Sequence, residues 1–187
     1  KKKYGKLVNL KIHISHGLAY KNINKKNNWR FAKQNINSIS GNLGIHYIHM
    51  IIKIFGKPKK TLINNLSIAD KKFTDTSYIL LNYKHFLSEI FLSYASVKYK
   101  KIELIFSNCI IVLDEGKLVE YHPRNLYDNK GLFKTPKPNI IYKKNLLYED
   151  GVSKSIRFFY NKIKKGERFD KMQFNQAIYA NKILLEK

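Results

Sequence analysis

Cysteine is almost absent: Cys109 stands alone in a chain of 187 residues. A single thiol excludes an internal disulfide and any metal site built on cysteine pairs, and it fits a reducing, cytoplasmic setting. Proline is scarce, with four residues, and three of them fall between His122 and Asn139, which reads as a long loop. The nine glycines form no G-x-G-x-x-G turn. The sequence therefore offers no dinucleotide-phosphate cradle of the Rossmann type. No apolar run is long enough to cross a bilayer; the longest, Ile45 to Phe55, is interrupted by His46, His49 and Lys53. The basic start, K-K-K-Y-G-K-L, is followed by no leucine- and alanine-rich segment, so no signal peptide and no membrane partner are expected.

Acidic residues are also few. Thirteen Asp and Glu face 36 Lys and Arg, for a formal net charge of +23. Only Arg30, Arg124, Arg157 and Arg168 are arginines, and arginine is the residue that base-edge and bidentate phosphate recognition favours. The lysines are spread along the whole chain among Asn, Ile and Tyr. We read them mainly as solvated surface rather than as a nucleic-acid face. A basic nucleic-acid-binding domain stays as an alternative, which would need lysines clustered on one face with exposed aromatics. A negatively charged small substrate would also profit from the positive field.

What is present is a folded composition, 44% apolar and rich in aromatics, of a size for one domain with a real core. Val8 to Ile14 alternates apolar and polar residues, the signature of a half-buried strand. Ser40 to Phe55 is the helical candidate. Gly41 and Gly44 break up its start, Gly56 suits its C-terminal cap, and Pro58 prevents continuation. Lys59 to Ala69, Asp75 to Tyr83, Leu87 to Tyr99, Ile102 to Phe106 and Cys109 to Leu113 read as strands. Asp114-Glu115-Gly116-Lys117 reads as a hairpin turn into Leu118 to Tyr121. A helix is expected over Gly151 to Lys165. A second, capped by Asp170, should bury Phe174, Ala177, Ile178 and Leu185. The fold class expected is α+β. One open, mostly antiparallel or mixed sheet carries helices on one face and leaves the other for oligomerisation.

The order of these features carries a resemblance. A strand, Trp29-Arg30, the turn Ser40-Gly41-Asn42-Leu43-Gly44, then Ile45-His46 opening an apolar helix that ends at Phe55-Gly56-Lys57-Pro58, is similar to the C-terminal substrate domain of the glucose-fructose oxidoreductase / inositol dehydrogenase (Gfo/Idh/MocA) family. That family shows roughly G-G-x-x-x-D-x-G-x-H-x-x-D at this place. Gly44 and His46 match the pattern. Asn42 and His49 fall where many members have Asp. The segment Ser155 to Ile178 resembles the family's closing helices, so the likeness spans nearly the whole chain.

The resemblance implies that residues 1–187 are one substrate-binding and oligomerisation domain, with the Rossmann half and its Glu-Lys-Pro lysine missing. It implies the substrate half of an oxidoreductase that uses NAD or NADP on a hydroxyl of a sugar or sugar nucleotide, inactive by itself and forming a homo-oligomer through the open sheet. His46 is the catalytic candidate, as acid or base for the alcohol proton, a task suited to imidazole near neutral pH. Asn42, Trp29, Arg30 and His49 are the substrate-binding candidates, Trp29 and Arg30 at the entrance and His49 behind His46 on one helical face. No metal site is expected, because His13, His16, His85 and His122 are scattered and no H-E-x-x-H occurs. Asn42 cannot serve as a carboxylate base. A non-catalytic remnant or assembly domain of the same fold is therefore the runner-up.

Overall fold

The computed structural model describes residues 3–20, 38–69, 73–122, 127–143, 148–168 and 170–185. Its framework is one eight-stranded sheet. The strands are β1 (Leu7–Ser15), β2 (Lys60–Leu66), β3 (Thr76–Asn82), β4 (Leu87–Ser93), β5 (Tyr99–Phe106), β6 (Cys109–Asp114), β7 (Lys117–Tyr121) and β8 (Pro138–Lys143). They lie in the order β2-β3-β4-β1-β5-β6-β7-β8. Only β1 and β4 run parallel; every other neighbouring pair is antiparallel. β3–β4, β5–β6 and β6–β7 are short hairpins, β1 and β5 are antiparallel neighbours far apart in sequence, and the parallel pair needs a long crossover.

That crossover carries α1 (Ile45–Phe55), which packs on one sheet face. Ile48, Ile51 and Ile52 are buried there at helical spacing. They meet Leu10, Ile12 and Ile14 of β1, Ile79 and Leu81 of β3, and Ile90 and Leu92 of β4. Each of these strand residues alternates with one that points to the opposite face, as the pleat requires. The row Ile79, Ile90, Ile12 and Ile102 is in direct register across four strands. Burying so many branched side chains in one layer, at roughly 1.5–3 kcal/mol each, makes this the dominant contribution to stability.

The local signals act as sequence chemistry dictates. Glu115 and Gly116 adopt φ of 41° and 88°, the left-handed pair that a tight two-residue hairpin between β6 and β7 needs. Gly56, at φ 81°, ends α1 and donates its N–H to the Ile52 carbonyl at 2.8 Å. Tyr83 closes the β3–β4 hairpin, its ring stacked on Phe86 at 4.4 Å. β8 falls partly in the stretch read as a loop and partly beyond it. It begins at Pro138, which an edge strand tolerates.

Two further helices follow, α2 (Tyr148–Lys164) and α3 (Lys171–Leu185). Asp170 caps α3, its carboxylate accepting the Met172 N–H at 2.8 Å. The buried face of α3 differs from the expected one. Ala180 and Ile183 are buried and Tyr179 and Leu184 pack on the same core, while Phe174, Ile178 and Leu185 are exposed. Small Ala180 and branched Ile183 join the core that α1 covers, and Phe174 lies on the opposite side of the helix from them. On α2, Ile156, Tyr160 and Ile163 are also exposed.

Candidate functional site

The site begins at the N-terminal end of α1. Ser38 bridges to Thr74, and the Ile39 N–H donates to the Thr74 carbonyl at 3.0 Å. Ser38 Oγ accepts the Gly41 N–H at 3.1 Å and lies 2.6 Å from Ser40 Oγ. This is a side-chain cap of the kind serine supplies. The next residues, Ser40–Gly44, form a π-helical turn, in which the Ile45 N–H reaches back to the Ser40 carbonyl. Such insertions recur at functional sites because they shift side chains relative to the regular helix that follows.

Asp75 holds this entry in place, and sequence reasoning gave it only a strand start. It is fully buried and accepts the N–H groups of Ile68 and Ala69, at 2.7 Å for Ala69, and the Thr76 hydroxyl at 2.9 Å. Its backbone carbonyl takes the Tyr94 N–H at 2.7 Å. A buried carboxylate fully engaged by donors is a rigid knot. The knot sits next to Thr74, the residue that anchors the π turn. The only sequence signal was an Asp between two apolar strands.

The candidate side chains follow from this frame. His46 lies in the first turn of α1 and is exposed, in contrast to the buried Ile48, Ile51 and Ile52. Asn42 lies within the π turn, half-buried. Its Nδ2 is buried with no hydrogen-bond partner, as is Nε2 of His49. Buried polar atoms without partners are rare and ask for a ligand or water. The structure thus brings Asn42, His46 and His49 onto one short stretch of helix. Trp29, Arg30 and Arg124 lie outside the described residues.

Gly44 is pressed against the sheet. A Cβ there would come within 3.1 Å of Ile79 Cδ1 and of Leu92 Cδ1. Its missing side chain therefore serves helix-to-sheet packing.

A second polar cluster lies on β6 and β7, toward the β8 end of the sheet. Glu120, buried to 3% exposure, accepts the Tyr4 hydroxyl at 2.5 Å and lies 2.8 Å from His122 Nε2. The Tyr4 hydrogen bond, and then the one to His122, hold its carboxyl below the usual range. Cys109 Sγ is 3.9 Å from the same His122 nitrogen. Burial raises the thiol's pKa, so it stays protonated and unreactive. With Nε2 already engaged by Glu120, His122 is not placed as a base for this thiol. Among the described residues no group of His, Cys, Asp and Glu could hold a metal ion, and no helix is long and apolar enough to cross a membrane.

The face of the sheet opposite α1 mixes apolar and polar groups. Tyr78, Leu87 and Ile110 are partly exposed on it. Several of its polar groups pair: Asn9 Nδ2 donates to Glu89 at 2.5 Å, the Tyr78 hydroxyl to Glu89 at 3.0 Å, and Lys101 pairs with Glu103 at 2.5 Å, while Asn9 Oδ1 is buried without a partner. His13 packs edge-on between Phe91 and Tyr99, at centroid distances of 4.8 and 4.6 Å.

Comparison with known proteins adds family evidence to this geometry. The family model described as "GFO/IDH/MocA C-terminal domain" matches residues 1–119. Among curated protein sequences none matches significantly. Among solved structures, a levoglucosan dehydrogenase in complex with NADH and L-sorbose aligns with a TM-score of 0.73 at 11% identity, over 98% of this chain and 57% of that one. An inositol dehydrogenase homolog from Azotobacter vinelandii, complexed with NAD+, aligns with a TM-score of 0.59 at 14% identity, over 78% of this chain and 38% of that one. The first two structures found are covered to 55% and 54%, so the chain spans about half the length of the structures it matches.

Proposed function

Since the chain belongs to the family of GFO/IDH/MocA C-terminal domains, we propose that it is the substrate-binding half of an oxidoreductase acting on a hydroxyl of a sugar or sugar nucleotide. A single observation carries this reading. His46 stands exposed in the first turn of a helix that buries Ile48, Ile51 and Ile52, straight after a π turn anchored to the sheet. An exposed imidazole on a rigid helix start can meet a substrate hydroxyl and take or return its proton. Levoglucosan dehydrogenase, whose structure holds NADH and L-sorbose, supports a sugar as the substrate class.

The sequence has no G-x-G-x-x-G turn, so it offers no Rossmann-type cradle for the phosphates of NAD or NADP. We assign the cofactor to a separate nucleotide-binding half, and this chain's part is to hold the substrate and move the proton. Asn42, with an unpartnered buried Nδ2, is the donor assigned to a substrate oxygen. His49, one turn behind His46, supports its placement. Trp29 and Arg30 are assigned to the entrance, where Arg30 would engage a phosphate or carboxylate.

The test uses the protein together with a nucleotide-binding half. His46→Ala is expected to lower kcat by about 10²–10⁴-fold while leaving KM nearly unchanged. Its unfolding midpoint should stay put, because the side chain is exposed. Full activity in the variant would remove His46 from the reaction, and an inactive parent would favour the assembly-domain reading. Asn42 in place of the family's acid already speaks for that second reading.

A further inference from the structure

Strand β2 ends the sheet. It pairs with β3 on one side, and among the described residues no strand pairs with its other side. Natural edge strands are usually blunted by shortness, bulges, proline or inward charges. Between Thr61 and Leu66, β2 has no charge and no proline, and its register with β3 runs without a bulge from Lys60↔Asn82 to Leu66↔Thr76. Leu62 and Leu66 are about half exposed, at 55% and 49%.

Beside this edge runs a groove of about 470 Å³, between β2 and α3. Lys59, Lys60, Ile63, Tyr179, Ile183 and Leu184 are in its wall. A second hollow of about 430 Å³ shares Tyr179 and holds Lys57, Lys171 and Met172. Lys57 Nζ stands 4.6 Å from the centre of the Tyr179 ring. Neither wall contains an Asp or Glu.

We propose that this edge binds an extended acidic peptide, which joins the sheet alongside β2. Main-chain hydrogen bonds to the edge supply affinity, and side chains alternating along the added strand supply specificity. One set of side chains lies over the apolar floor of Tyr179, Ile183 and Leu184. Carboxylates in the peptide meet Lys57, Lys59, Lys60 and Lys171. A second copy of this chain is a poor occupant. It brings a further net charge of +23, and its own β2 has no acidic residue to meet these lysines.

The probe is a fluorescein-labelled peptide of alternating valine and glutamate, titrated into the 187-residue chain. Binding should be saturable and should slow amide hydrogen exchange in residues 61–66. N-methylation of the alternate peptide residues that face β2 should weaken it roughly tenfold or more, because hydrogen bonds are lost. Methylating the other alternate set should change it little. The pair Lys57→Glu and Lys60→Glu should weaken binding without moving the unfolding midpoint. Equal binding of both methylated peptides, protection elsewhere, or no binding at millimolar peptide would overturn the proposal. So would ready displacement by an oligothymidylate, which would point to a nucleic acid. Concentration-dependent protection of β2 without peptide would instead install a second copy as the occupant.

Discussion

Gly44 decides how close α1 comes to the sheet. Alanine is the better helix former by about 1 kcal/mol. Its Cβ, however, would press on Ile79 and Leu92 at 3.1 Å, and overpacking of this kind costs about 1–3 kcal/mol. Gly44→Ala should therefore lower stability by about 1 kcal/mol in urea unfolding, with an unchanged slope. A stabilised variant would show that the two neighbours yield. Glu120 gives a pH-dependent prediction. Its depressed carboxyl pKa means that its contribution is complete above the unfolded-state value, about 4.3, and is lost as pH falls through the folded value. Stability measured from about pH 6 down to about pH 3 should fall less steeply in Glu120→Gln than in the parent. An equally steep fall would assign the acid sensitivity to other carboxylates.

At the scale of elements, α3 separates pattern from packing. Its sequence carries two apolar faces, one through Phe174 and Ile178, the other through Tyr179, Ala180 and Ile183. The helical spacing of Phe174, Ala177, Ile178 and Leu185 made the first the natural expectation, yet the second packs on the core. Ile183→Ala is expected to cost about 2–4 kcal/mol, and Phe174→Ala less than about 0.5 kcal/mol. Comparable losses in thermal unfolding would restore the expected face. The central strands were legible because alternation in V-N-L-K-I-H-I reports a half-buried strand by itself. β8 was not, because P-N-I-I-Y-K is a strand only by virtue of its partner β7.

For the whole molecule, the open face of the sheet is the feature to explain. Its polar groups pair within the face, as Asn9, Tyr78 and Glu89 do. These bonds are kept when the face is covered, and Asn9 Oδ1, buried without a partner, is left for a donor from outside. We expect a homo-oligomer formed through this face. Sedimentation should show more than one copy per particle, and Ile110→Glu, at a partly exposed central position, should yield monomers with unchanged far-ultraviolet circular dichroism. A monomeric parent would leave this face to another partner. The charge of +23 enters at this scale as well, since it acts on partners and substrates rather than on the fold.

Local patterns determined most of the architecture. Period-two alternation, the Glu115-Gly116 turn and the Gly56 stop each act within a few residues, so the sequence by itself specifies strands, hairpins and the end of α1. The candidate stretch Asn42 to His49 was legible for the same reason, as a glycine-broken start with histidines in an apolar helix. Only the tertiary structure decided what those residues face. It turned His46 outward, left Asn42 and His49 with unpartnered atoms, committed Gly44 to packing, and made Asp75 the knot beneath the site. These outcomes depend on residues distant in sequence, Thr74, Ile79 and Leu92 among them. A chain's local preferences carry no information about which distant side chain will fill the space beside them.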